Sequence, residues 1–196
     1  MKLSAGYQYT ILCEDEKTKA FITNILVSQG INRHRISTDV APSGTGSGEA
    51  YVRKQYKINL RAIRRFNYNA RTLIVCTDAD VHSLEERKLS FSNECSNVEP
   101  EIYDRTKKEP VIIWIPKRNI ETWIEFFKHD GNGVNEEAQY KINNKNVKCK
   151  EEARKMSDFL QEKRDYKDYL SSLEDAYEEY ENLCKVQMTK SAAASH

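Results

Sequence analysis

Asp78 and Asp80 stand one residue apart, directly after Thr72-Leu73-Ile74-Val75-Cys76-Thr77, a run that reads as a strand buried on both faces. At the end of a strand, residues i and i+2 project to the same side. Two carboxylates placed so could share one hard cation, or clasp two, through oxygen ligands. Open α/β sheets put their active sites at the carboxyl ends of the strands. A structural alternative exists, in which Asp78 or Asp80 only caps a helix expected over residues 81–91. Two further acids follow apolar runs in the same way. Glu14 comes after Tyr7-Gln8-Tyr9-Thr10-Ile11-Leu12-Cys13, and Glu121 comes shortly after Val111-Ile112-Ile113-Trp114-Ile115. Each has its own plain reading as an acid complementing the dipole of the helix it precedes or begins.

The elements needed to position these acids are written in the spacing of apolar residues. Residues 7–13 are β-branched and aromatic and predict a first strand; Ala20, Phe21, Ile25 and Leu26 recur at helical spacing up to Gly30. Residues 35–40 predict a short second strand. Residues 50–66 predict a helix with Val52, Tyr56, Leu60 and Ile63 on one face. The central strand and the helix over 81–91 follow, then the strand at 111–115. A helix with Asn119 as N-cap carries Ile120, Trp123, Ile124 and Phe127 on its apolar face. Strands alternating with helices imply a mainly parallel α/β sheet flanked by helices. All four acids, Glu14, Asp78, Asp80 and Glu121, then fall on one edge. Together without cations they would repel and raise one another's pKa, so the arrangement calls for Mg²⁺ or Mn²⁺.

Among 196 residues, 31 Lys and Arg nearly balance 30 Asp and Glu, so any nucleic-acid contact must come from a local patch. The strongest patch lies on the helix over 50–66, where Arg53, Lys57, Arg61, Arg64 and Arg65 share a face with scarcely an acid nearby in sequence, and Tyr51, Phe66 and Tyr68 are close by. The preceding Pro42-Ser43-Gly44-Thr45-Gly46-Ser47-Gly48-Glu49 is glycine-rich but lacks the Gly-Lys-Ser/Thr ending of a phosphate loop, and reads as a mobile loop beside the site. The five cysteines are odd in number and unpaired in spacing, as in a reduced, cytoplasmic protein, and no apolar run approaches a membrane span. Residues 92–108, around Pro100, are polar and irregular, and residues 129–150 read as an insertion with a short hairpin near Tyr140-Lys141-Ile142. Residues 151–190 predict two or three charged helices whose tyrosines, Tyr166, Tyr169, Tyr177 and Tyr180, serve as amphipathic core, and residues 191–196 read as an appended tail outside the fold.

Taken together, strand–Glu14 followed by strand–Asp78-x-Asp80 resembles the Toprim fold of topoisomerases, bacterial primases and OLD-type nucleases. Cys13-Glu14-Asp15-Glu16-Lys17-Thr18 is similar to the E-G-E-K-T-E start of RloB-like Toprim proteins, and Asn119-Ile120-Glu121-Thr122-Trp123 to their later F-E-x-W segment. The resemblance covers about residues 7–128, a Toprim-like catalytic domain over 1–128, and leaves the C-terminal helices outside it. The sequence departs from the pattern at Asp15, where a glycine is usual, and at Lys19, where many relatives carry an acid that Asp15 or Glu16 would have to replace. The chain is too short for a topoisomerase or primase. The resemblance therefore implies a metal-dependent endonuclease of DNA or RNA, the effector of an anti-phage or restriction-type system acting with an ABC- or AAA-type ATPase. Glu14, Asp78 and Asp80 would be its ligands and Glu121 would complete a second site. Lys117 or Arg118 would contact the scissile phosphate. The competing expectation is a non-catalytic module that docks a partner protein.

Overall fold

A computed structural model of the chain describes residues 1–44, 46–65, 70–96, 105, 108–141, 149–162 and 169–193. Phe66, Tyr68, Pro100, Ile142, Tyr166 and residues 194–196, all named above, lie outside them. Among the described residues four strands, β1 (Gln8–Cys13), β2 (Ile36–Val40), β3 (Arg71–Cys76) and β4 (Val111–Trp114), form an all-parallel sheet in the order β2-β1-β3-β4. Among the same residues six α-helices flank it: α1 (Glu16–Ser28), α2 (Gly48–Arg65), α3 (Leu84–Ser96), α4 (Ile120–Lys128), α5 (Lys150–Glu162) and α6 (Ser171–Ala193). This is the parallel, Rossmann-like α/β architecture expected from the alternation of periods.

Both faces of the sheet are covered, which is why β3 and β4 are apolar without alternation. Tyr9, Ile11, Cys13, Ile74, Cys76, Ile112 and Trp114 face one core, shared with α1, α4, α5 and α6. Their neighbours Leu12, Leu73, Val75, Val111 and Ile113 face the other, shared with α2 and α3. The alternation follows from the two-residue pleat. The helices over 151–190 belong to the first core: Met156, Phe159, Leu160, Leu173, Tyr180 and Leu183 are all buried in it. Helix α6 also runs beside β4, where Trp114 Nε1 donates to the carbonyl of Ala176 (3.1 Å) and the Ile113 amide donates to Glu179 (3.4 Å). The free edge of β4 is thereby closed.

Several boundaries move. Helix α3 begins at Leu84 rather than Val81, because Asp80 takes a left-handed conformation (φ +55) that ends the extended segment. Ser83 then opens the helix with a reciprocal box, its hydroxyl accepting the Glu86 amide (3.1 Å) and Glu86 accepting the Ser83 amide (2.8 Å). Helix α6 extends through residues 191–193, so the expected tail begins inside a helix. The described part of the 129–150 segment contains turns and no strand. All five cysteines are buried and free, and no described helix is long and apolar enough to cross a membrane.

Candidate active site

The register of the two central strands builds the site. Cys13 of β1 lies opposite Cys76 of β3, so the residues that follow, Glu14 on one side and Thr77 and Asp78 on the other, leave the sheet side by side. From this point α1 runs towards β2 and α3 towards β4, so the two acids flank the crevice where the strand order reverses, the usual ligand position of an open α/β sheet. Glu14 Oε1 accepts the Thr77 hydroxyl and the Asp78 amide (3.0 Å). Glu14 is pushed up from the ordinary carboxylate range, chiefly by burial, against the pull of those two hydrogen bonds.

Asp78 is half-buried, and among the described residues no donor reaches either of its carboxylate oxygens. Its pKa is pushed up to about 9, first by burial and then by the charges of Glu14, Asp15, Asp80 and Glu121. Four carboxylates thus converge electrostatically on a fifth, and neither aspartate caps α3, since Ser83 does so. Asp80 and Glu121 lie at the same edge but are answered by the chain's own cations. Asp80 is exposed and lies 3.7 Å from Arg87, while Glu121 pairs with Lys17. As the side chains are placed, no three His, Cys, Asp or Glu among the described residues stand close enough together to hold an ion. The donor set nevertheless fits a hard divalent cation, because Mg²⁺ is ordinarily held by one or two carboxylates and completes its shell with water. Asp15 and Glu16 are committed elsewhere: Asp15 accepts the Thr18 amide (2.8 Å) as N-cap of α1, and Glu16 pairs with Lys19.

No protein-family model, curated protein or solved structure matches this chain.

Cations of the basic face of α2 meet acids in the fold. These acids come from elsewhere in the fold or turn inward: Arg53 pairs with Glu49 (2.7 Å), Lys57 reaches Glu94 (4.0 Å), and Arg64 holds Glu109 with two nitrogens (2.5 and 3.0 Å). Arg61 is half-buried, and Arg65 alone of the five is exposed. Lys117 and Arg118, by contrast, lie beside the acids. Arg118 donates to the carbonyl of Asp80 (2.8 Å), and both side chains face Glu137. Asn119 occupies the N-cap position of α4, yet its side chain binds Tyr140 and the Thr122 hydroxyl instead of a helix amide.

Arg87 and Gly48 complete the site and were not among the candidates. Arg87 is buried on α3, donates to the carbonyl of Ala79 (3.2 Å) and pairs with Glu49 (2.8 Å), so it straps the Asp78–Asp80 turn to α2. The capping box at Ser83 sets the phase of α3 and hence this placement. Gly48 opens α2 against Glu14: a Cβ there would lie 3.1 Å from Glu14 Oε2 and 3.2 Å from its Cβ. Gly48→Ala is therefore expected to displace the Glu14 carboxylate. The helix itself tolerates the added methyl, so stability should change by less than ~1 kcal/mol in a urea melt. A larger loss would show that Glu14 cannot give way to the added methyl.

Proposed function

We propose that the chain is a metal-dependent, Toprim-type endonuclease acting on the phosphodiester bonds of DNA or RNA, the effector of a defence system that works with an ATPase. The observation that carries this reading is Asp78, a half-buried carboxylate at the end of the central strand that has four acids around it and no donor on it. Such an arrangement costs stability unless a cation is supplied. Functional sites are where fold stability is given up in this way. Glu14 and Asp78 would hold Mg²⁺ or Mn²⁺, with Asp80 and Glu121 at the rim. A bound divalent ion supplies an activated water and stabilises charge on the phosphoryl and leaving oxygens. Lys117 and Arg118 orient the phosphate against the acidic edge. Thr77 and the Asp78 amide fix Glu14, and Arg87 holds the turn that carries Asp78 and Asp80.

A non-catalytic, partner-docking module is favoured by a different observation: Asp80 and Glu121 already have cationic partners. The two readings part on one assay, incubation of the protein with supercoiled plasmid and with total transfer RNA, in Mg²⁺ and separately in Mn²⁺. Cutting by wild type is expected to fall by about two orders of magnitude or more in Asp78→Ala, with the circular dichroism of the fold unchanged. Equal cutting by the variant would remove Asp78 from the chemistry and the nuclease reading with it.

A further inference from the structure

Lys117 and Arg118 do not face open solvent. The carboxylate of Glu137 bridges them, Oε1 lying 3.2 Å from Lys117 Nζ and Oε2 3.2 Å from Arg118 Nη2. The rest of the Arg118 guanidinium is anchored by backbone. Nη1 donates to the carbonyl of Asp80 and Nε to the carbonyl of Glu137 (2.9 Å). Two of its nitrogens are thus locked on carbonyls, and the third is presented beside the Lys117 ammonium to a single side-chain carboxylate. A planar carboxylate held by one guanidinium nitrogen and one ammonium has the charge and spacing of two phosphate oxygens.

The segment that carries Glu137 does not need this contact to stay in place. Asn119 donates to the carbonyl of Tyr140 (2.7 Å), the Tyr140 hydroxyl accepts the Asn135 amide (2.9 Å), and Glu136 accepts the amides of Ser171 (3.0 Å) and Ser172 (2.8 Å) at the start of α6. The Glu137 side chain itself is 59% exposed. Exposed ion pairs contribute little to stability and exchange readily with solvent ions. Glu137 is therefore an anchored but displaceable anion. We infer that Lys117 and Arg118 form a phosphodiester-binding subsite, and that Glu137 fills it as an internal competitor which a nucleic-acid strand must displace. The inference rests on the reading that phosphodiesters are handled at this edge.

The test is equilibrium binding in EDTA, where metal-dependent cutting cannot occur, read by fluorescence anisotropy of dye-labelled 20-nucleotide DNA and RNA at two salt concentrations. Glu137→Gln is expected to bind about threefold to tenfold more tightly than wild type, the affinity that one or two exposed ion pairs would withhold. The gain should vanish when Lys117→Ala and Arg118→Ala are added. Glu151→Gln, which removes one exposed acid elsewhere, should leave the affinity unchanged. The DNA and RNA arms say which strand the subsite takes. The inference is overturned if Glu137→Gln binds no better than wild type, if the gain survives loss of both cations, or if neither protein binds either strand. Absence of metal-dependent cutting alongside a gain in Glu137→Gln would instead strike the nuclease reading and leave the subsite standing.

Discussion

In the absence of divalent cations, Asp78→Asn is expected to melt higher than wild type. Burial and four neighbouring carboxylates hold the Asp78 pKa at about 9, against 3.8 for an ordinary aspartate, so the folded chain binds this proton more tightly than the unfolded chain does. A group whose pKa rises on folding stabilises most below its unfolded value, and that contribution is lost as pH climbs towards the folded one. Wild type therefore loses stability between about pH 4 and pH 9 through this group, and asparagine, which does not titrate, does not. The gap between the two proteins should widen steadily from pH 5 to pH 8, by up to about 1.4 kcal/mol per pH unit, and reach several kcal/mol near neutrality, on the order of 10 °C in a chain of this size. Glu14 is present in both proteins, so its own raised pKa largely cancels in the difference. Adding Mn²⁺ should reverse the order, since a cation between Glu14 and Asp78 rewards the charged form that asparagine lacks. Melts of both proteins in EDTA and in Mn²⁺ across this pH range measure it directly. A less stable asparagine variant throughout would mean that the Asp78 carboxylate is a structural partner.

How far these residues could be read from the chain differs by element, and the reasons are physical. Strands β3 and β4 were legible because burial on both faces leaves a continuous apolar run, and α2 because its four buried residues repeat at helical spacing. The position of Glu14 beside Asp78 needed only strand ends, since parallel strands in register deliver their C-termini to one edge. The start of α3 was misjudged by three residues, although Ser83-Leu84-Glu85-Glu86 carries the capping-box spacing that sets it. That box outweighs the N-cap propensity of Asp78 and Asp80, so neither acid is used as a cap.

The pairing of the basic helix was hidden for a different reason. Five cations on one face look unpaired when only neighbours in sequence are considered, but Glu94 and Glu109 arrive from α3 and from the approach to β4, and Glu49 turns inward on α2 itself. Pairing across the fold carries no periodic signal. The same holds for Glu137: it sits in a polar segment without an apolar repeat, and only its tertiary position against Lys117 and Arg118 gives it meaning. Acids at strand ends are therefore easier to locate from sequence than the cations that answer them.

The sheet and the C-terminal helices are expected to unfold together, so a chain ending at Glu162 should not yield a folded α/β core. Helix α6 buries Leu173, Ala176, Tyr180, Leu183 and Cys184 in the same cluster as β1, β3, α1 and α4. Fully burying a large apolar side chain contributes about 1.5–3 kcal/mol, so losing Leu173, Tyr180 and Leu183 alone removes a large share of the roughly 5–15 kcal/mol that keeps a domain folded. Polar costs add to this. Trp114 Nε1 would lose the Ala176 carbonyl, Trp123 Nε1 would lose the Ser172 hydroxyl (2.9 Å), and β4 would present an open edge. The expected result is a chain without a cooperative urea transition, with little near-ultraviolet circular dichroism and a tendency to aggregate. A point variant separates packing from connectivity: Trp114→Ala in the full chain should cost about 3–5 kcal/mol yet leave a single cooperative transition. A cooperative, native-like melt of the shortened chain would instead make residues 171–193 an appendage on a self-sufficient sheet. The acidic edge would then owe nothing to α6, whereas here Ser171 and Ser172 at its first turn hold the segment that places Glu137 against Lys117 and Arg118.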